Sequence, residues 1–196
     1  IPAMKLVSVN VSRPAEIRNG DDLVRTAIFK KPVAGLVTVG KFNLDGDGQA
    51  DLENHGGEHM AVYAYSLDHY PYFREALGRS EMPFGQFGEN LTVSGLDETR
   101  SYLGDHVRIG SAEFAITQPR VPCFKLGLRF GDPKVPKLFS RSLRMGYYLK
   151  VLREGVLQAG DDVEVAQRGH GEVRIDELYE ALIRPKGNDV TAVLAR

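Results

Sequence analysis

The residues best suited to chemistry are Cys123 and the two cations beside it, Arg120 and Lys125, in the stretch Thr117-Gln118-Pro119-Arg120-Val121-Pro122-Cys123-Phe124-Lys125. Cys123 is the only cysteine in 196 residues. Pro119 and Pro122 each fix φ near about −65° and push the preceding residue into extended conformations, so the loop has little freedom. Arg120 is a permanent cation, and with Lys125 it places positive charge near the thiol. Such a field favours the thiolate, the form that attacks electrophiles and binds soft metals. A lone cysteine is more often a buried structural residue. The rigid, basic, proline-framed setting argues for function here.

Three further stretches carry residue types with possible chemistry. In His55-Gly56-Gly57-Glu58-His59 the paired glycines let the backbone approach a ligand, and successive free N–H groups can cradle an anion. A bare Gly-Gly is also a tight turn. His55 and His59 have the spacing of a helical zinc pair, but Gly-Gly opposes a helix and Glu58 is misplaced for the metalloprotease motif, so a zinc site is rejected. Asp45-Gly46-Asp47-Gly48-Gln49-Ala50-Asp51 fits a calcium loop in neither register, which leaves a hydrogen-bonded turn network as the expectation. Phe84-Gly85-Gln86-Phe87-Gly88-Glu89-Asn90 ends in an acid and an amide, and the amide offers donor and acceptor together to a heterocycle. The chain has no Walker sequence, no GxGxxG after a strand and no serine elbow. A Cys-His hydrolase would need a histidine against Cys123, which spacing alone leaves open.

Short strands and turns must position these groups. Alternation over Met4–Val11 predicts a strand, and two more are expected at Leu23–Phe29 and Val33–Val39 after a polar turn near Asn19-Gly20-Asp21-Asp22. Gly40–Gly57 has no hydrophobic period and reads as a long loop, of the kind that is usually functional or disordered. A strand at Met60–Tyr65 leads to a helix capped by Ser66, with Pro71 predicting a kink or a later start. Leu91–Val93 is a short strand, and Tyr102–Gly110 with Ala112–Gln118 form a hairpin about Gly110-Ser111. Short helices are expected at Phe124–Phe130 and Val135–Ser142, then strands at Tyr147–Glu154 and Asp162–Ala166. At least eight strands with scattered helices favour a closed or nearly closed barrel over a doubly wound sheet. Beyond Gln167 the pattern changes: Val173–Leu182 is amphipathic, and Asp189–Ala195 suits a last turn or two. The division is therefore a barrel over 4–166 and a short helical tail over 167–196.

Composition bounds the function. Hydrophobic content of 42% and charged content of 26% suit one globular domain with a good core. A net charge of −1 argues against a general nucleic-acid surface. A single cysteine excludes an intrachain disulfide and fits a reducing, cytoplasmic setting. No apolar run is long enough for a membrane span, and no secretory signal is visible. Ile1-Pro2-Ala3 ahead of Met4 is read as a leftover of cloning and set aside.

Taken in order, Asp47–Asp51 (DGQAD), His55–Gly57 (HGG), Tyr65–Tyr70 (YSLDHY), Phe87–Asn90 (FGEN), Gly104-Asp105 and Pro119–Cys123 (PRVPC) resemble the MOSC domain family, specifically its free-standing YiiM-type branch. The likeness covers roughly residues 4–166. It implies a mainly β fold, a barrel like that of pyruvate kinase with short helices and a small C-terminal helical appendage. It implies a molybdenum cofactor, a pterin (molybdopterin) carrying Mo, with Cys123 as the catalytic thiolate and the protein's metal ligand. His55, Gly56, Gly57 and Asn90 would line the pterin pocket, Arg120 would counter the cofactor's charge, and Lys125 and Arg144 would add anion contacts on charge alone. The related amidoxime-reducing enzymes imply reduction of N-hydroxylated small molecules, with electrons from a separate reductase and with no nucleic-acid or membrane partner. A homodimer is left open. Two departures stand out: HGGEH replaces the commoner HGGPD-type continuation, and only about two helices fit where YiiM-type members carry three. The rival readings are a cofactor or sulfur carrier using persulfide on Cys123, and a non-enzymatic binding barrel with an inert cysteine.

Overall fold

The computed structural model describes residues 3–53, 56–169, 171–184 and 190–195. In chain order its strands are β1 (Met4–Val11), β2 (Ala15–Asn19), β3 (Asp22–Thr26), β4 (Lys31–Val33), β5 (Val37–Val39), β6 (Val62–Ser66), β7 (Leu91–Ser94), β8 (His106–Ile109), β9 (Ala112–Pro119), β10 (Tyr147–Arg153), β11 (Gly155–Leu157) and β12 (Asp162–Gln167). The helices are α1 (Tyr70–Ala76), α2 (Phe124–Phe130), α3 (Val135–Ser142), α4 (Ile175–Ile183) and α5 (Val190–Leu194). Seven strands close a barrel in the order β1-β7-β6-β10-β9-β8-β12, and Met4 opposite Val163 brings β12 back to β1. β6 and β7 run parallel; the other neighbours in the ring are antiparallel. The mainly β closed barrel expected from the strand count is what the chain forms.

β1 shows how the barrel interior differs from a plain apolar core. Its inward face carries Leu6, Ser8 and Asn10, all buried. The polar pair is satisfied sideways: the Ser8 hydroxyl donates to Asn10 Oδ1 at 2.8 Å, and Asn10 Nδ2 donates to Thr92 Oγ1 at 3.0 Å. Thr92 in turn donates to Glu89 Oε1 at 2.9 Å, so one hydrogen-bonded chain links β1, β7 and the loop before β7. Glu89 also accepts the backbone N–H groups of Gly85 and Phe87, each at 3.0 Å, and the Tyr70 hydroxyl. A fully satisfied buried network of this kind rigidifies the elements it joins. Burial raises the Glu89 carboxyl above its ordinary range, against the pull of those donors. Around it, Tyr65, Phe73, Phe87 and Phe139 are fully buried and their rings meet edge-on, tilted or stacked.

Two local expectations shift, and one is met in detail. The strand expected over Leu23–Phe29 is β3 alone, and it pairs with the unforeseen β2 as a hairpin outside the barrel. Gly20, at φ +63°, makes the two-residue turn possible. The strand expected over Val33–Val39 divides into β4, which pairs antiparallel with the end of β1, and β5, which pairs with the short β11. The helix after Ser66 starts late, as Pro71 predicts: a single 3-10 turn over Leu67–His69 precedes α1, whose first turn holds the proline. Ser66 accepts the Asp68 N–H at 3.3 Å. The tail folds back onto the barrel, because Ile175 and Tyr179 of α4 are wholly buried in the main core. Among the described residues, no helix is long and apolar enough to cross a membrane.

Candidate functional site

A cleft of about 120 Å³ opens beside Cys123, and its polar lining includes Lys30, Asp47, Asn90, Arg120, Cys123 and Lys125. Each of them sits at an element end or in a loop. Arg120 leaves β9 directly after Pro119, Cys123 immediately precedes α2, Asn90 immediately precedes β7 and Lys30 immediately precedes β4. Asp47 belongs to the long loop after β5. The barrel thus brings together residues that lie far apart in the chain.

Arg120 is held from several sides. It is 5% exposed, and its guanidinium lies over the rings of Tyr63 and Phe139, 5.1 Å from each centroid. Its backbone N–H reaches the Gly146 carbonyl at 3.4 Å. Gly146 has φ +63°, and a Cβ there would sit 2.3 Å from the Ala64 carbonyl oxygen, so only glycine allows the backbone this close. The Gly146 N–H donates to Glu98 Oε1 at 2.8 Å, and His69 Nε2 meets the same carboxylate at 2.8 Å. His69 and Glu98 therefore position the support of Arg120, a role that no sequence motif assigned to them. The Nη1 atom of Arg120 is buried and has no hydrogen-bond partner among the described residues. Burial works against the guanidinium charge, and the Tyr63, Tyr148 and Cys123 side chains act in the opposite direction.

The opposite wall rests on a buried ion pair. Lys30 Nζ is 2.5 Å from Asp47 Oδ1, and both residues are 7% exposed. Asp47 also accepts the Ser12 N–H at 2.9 Å and Asn90 Nδ2 at 2.9 Å. Burial lowers the affinity of Lys30 for its proton, and the Asp47 carboxylate opposes that effect. Of the loop's aspartates, Asp47 thus anchors a hydrogen-bonded network, but its partners Ser12, Lys30 and Asn90 come from outside the loop and not from the turn its sequence suggested. Lys30 itself carried no sequence signal. Lys125 also reaches the cleft, with its Nζ 3.8 Å from Asp51 Oδ2.

Other candidates fall differently. Asn90 lines the cleft, yet its amide is committed to the fold: Oδ1 accepts the Tyr63 N–H at 3.0 Å, while Nδ2 serves Asp47 and the Asn10 carbonyl. Gly56 and Gly57 are not in the lining. The Gly57 N–H expected to face an anion donates instead to Gln49 Oε1 at 2.8 Å, and the Gln49 amide returns to the Gly57 and Met60 carbonyls. At Gly56 a Cβ would meet the Leu52 Cα at 2.8 Å, so that glycine serves close packing of the loop. His55 lies outside the described residues. Arg144 is turned elsewhere: its guanidinium covers the Tyr72 ring at 4.1 Å and donates to the Ser142 carbonyl at 2.9 Å. Charge alone suggested it for the site, and it does not line the cleft.

Glu58, the departure in HGGEH, bridges Lys41 at 2.6 Å and Lys150 at 3.1 Å and so ties the glycine loop to β10. Hydrogen bonds from these lysines hold its carboxyl below the usual range. A lowered folded pKa gives stability that is present above the unfolded value and is lost as pH falls through the folded one. The difference in melting temperature between the wild type and Glu58→Gln is therefore expected at pH 7, and should diminish as pH falls below the ordinary carboxylate range and in high salt. A difference unchanged from pH 7 to 3 would contradict this bridge.

Chemically, three cations of the cleft (Lys30, Arg120, Lys125) face two carboxylates (Asp47, Asp51), with one soft thiol among them. No group of three or more His, Cys, Asp or Glu residues suited to a metal exists among the described residues. A metal held here would have to bring most of its ligands with it. An anionic, sulfur-rich organic cofactor meets that requirement, and the unpartnered Arg120 Nη1 offers it a donor.

A family model described as the MOSC domain matches residues 51–164. The uncharacterized protein YflK of Bacillus subtilis strain 168 is 38% identical over 164 residues, which are 84% of this chain and 74% of YflK. The crystal structure of YiiM from Geobacillus stearothermophilus superposes with a TM-score of 0.80 at 34% identity, covering 98% of this chain and 89% of that one. A protein of Gibberella moniliformis named a reductase is 32% identical over 153 residues, covering 74% of this chain and 26% of that protein.

Proposed function

The chain belongs to the MOSC domain family, and from that premise we propose that it is a molybdenum-cofactor-dependent reductase of N-hydroxylated compounds. The observation that carries this reading is the meeting of Cys123 with the buried, incompletely partnered Arg120 in one cation-rich cleft. The net reaction is R–NHOH + 2 e⁻ + 2 H⁺ → R–NH₂ + H₂O. When bound, the cofactor supplies the two-electron couple for this reaction. Cys123 would be the protein's sulfur ligand to the metal, since a thiolate suits a soft, sulfur-ligated centre. Arg120 and Lys125 would hold anionic parts of the cofactor, and the Lys30–Asp47 pair would keep the wall opposite in place. Burial raises the Tyr63 and Tyr148 hydroxyls above the ordinary phenol range, so both stay neutral beside the cofactor. Electrons would come from a separate reductase protein.

The relative named a reductase supports redox chemistry over the carrier reading, which uses the same cysteine. The test is anaerobic turnover of an N-hydroxylated arylamine by cofactor-loaded protein with a chemical reductant, followed as amine formed. Loaded wild type should produce amine, and Cys123→Ser should be slower by at least about a hundredfold. A loaded wild type that forms no amine, with persulfide on Cys123, would replace the reductase reading with sulfur transfer.

A further inference from the structure

We infer that a second groove, on the outer side of Cys123, holds the body of the substrate and selects N-hydroxylated compounds with a neutral or anionic aromatic group. The inference rests on the reductase reading for the reaction, but the groove itself stands on its own geometry. It is a shallow, open groove of about 680 Å³ that shares Ala50, Asp51, Cys123 and Lys125 with the cationic cleft. The two spaces therefore meet at the chain's only thiol.

The groove wall brings three large apolar side chains from three separate segments: Leu23 of β3, Leu52 of the long loop and Phe124 of α2. They are 61%, 72% and 56% exposed. A single exposed leucine needs no explanation, whereas apolar side chains gathered along one concave surface mark a place where something apolar binds. The β2–β3 hairpin, which stands outside the barrel, has a use in this arrangement: it carries Leu23 to the groove. The groove has room for one or two rings lying against its wall. The charged groups along the groove are Arg25, Lys125 and Asp51, two cations against one carboxylate, so a cationic body is disfavoured. With the ring against Leu52 and Phe124, the N–OH group reaches the Cys123 edge where the two spaces join.

The test uses Leu52→Ser, Phe124→Ser and the double variant in cofactor-loaded protein, with N-phenylhydroxylamine and N-methylhydroxylamine as substrates. The preference for the phenyl compound, as a ratio of kcat/KM values, should fall about tenfold or more in the double variant, as loss of apolar contact requires. Half-saturation by the electron donor should not move. In metal-free protein, the neutral product aniline should slow alkylation of Cys123 by iodoacetamide, and the double variant should lose that protection. The protection arm needs no turnover, so absence of any reduction would count against the reductase reading while the groove is still judged. An unchanged phenyl preference or absence of aniline protection overturns the inference. So does a shifted donor half-saturation with substrate preference intact, which would make this face a docking surface for the donor protein.

Discussion

Lys30→Met is expected to lower the unfolding free energy by about 3 kcal/mol, seen as a reduced denaturant midpoint with an unchanged slope. The variant keeps the Asp47 carboxylate buried with its contacts to Ser12 and Asn90, but removes the ammonium 2.5 Å away. An uncompensated buried charge is costly, whereas deleting both charges together is often close to neutral. The double variant Lys30→Met/Asp47→Leu should therefore recover part of the loss, limited by the donors that Asp47 leaves behind. Single and double variants that add independently would show that the pair is not coupled.

Arg120→Met should separate stability from ligand binding. In metal-free protein the substitution removes a buried guanidinium whose Nη1 lacks a partner. Its stacking on Tyr63 and Phe139 is worth roughly 1 kcal/mol, and methionine replaces part of that contact. Stability should therefore stay within about 1 kcal/mol of wild type. Cofactor retained through purification should fall by about 10- to 100-fold, the worth of a charge-assisted hydrogen bond to an anion. Arg120→Lys should not restore it, because an ammonium cannot reproduce the planar fork. A stable variant with full cofactor content would remove Arg120 from the binding site.

Much of this arrangement was legible before any coordinates. Met4–Val11, Phe124–Phe130 and Val135–Ser142 form the elements their patterns predict, with the same ends. Local signals explain this: Gly131, at φ +67°, stops α2, and Pro136 lies in the first turn of α3. The hairpin of β2 and β3 was partly hidden because it buries little, leaving no strong alternation to read. β11 is three residues long and exists by pairing with β5, a contact no local pattern encodes. At the site, Arg120, Cys123 and Lys125 were visible because the prolines and the lone thiol single them out. Lys30 was not, being one of 25 basic residues until the barrel places it against Asp47. The glycine nest at Gly56-Gly57 was a sound reading of backbone freedom. Gln49 claims the Gly57 N–H, and only the folded loop reveals that competitor.

The most direct test of the central claim is the molybdenum and pterin content of protein purified from a cofactor-competent host, for the wild type and Cys123→Ala. Near-stoichiometric molybdenum in the wild type, with the metal lost from a folded Cys123→Ala protein, is the predicted result. Full molybdenum in the variant, or none in a wild type made alongside a correctly loaded control enzyme, would contradict Cys123 as the metal's protein ligand.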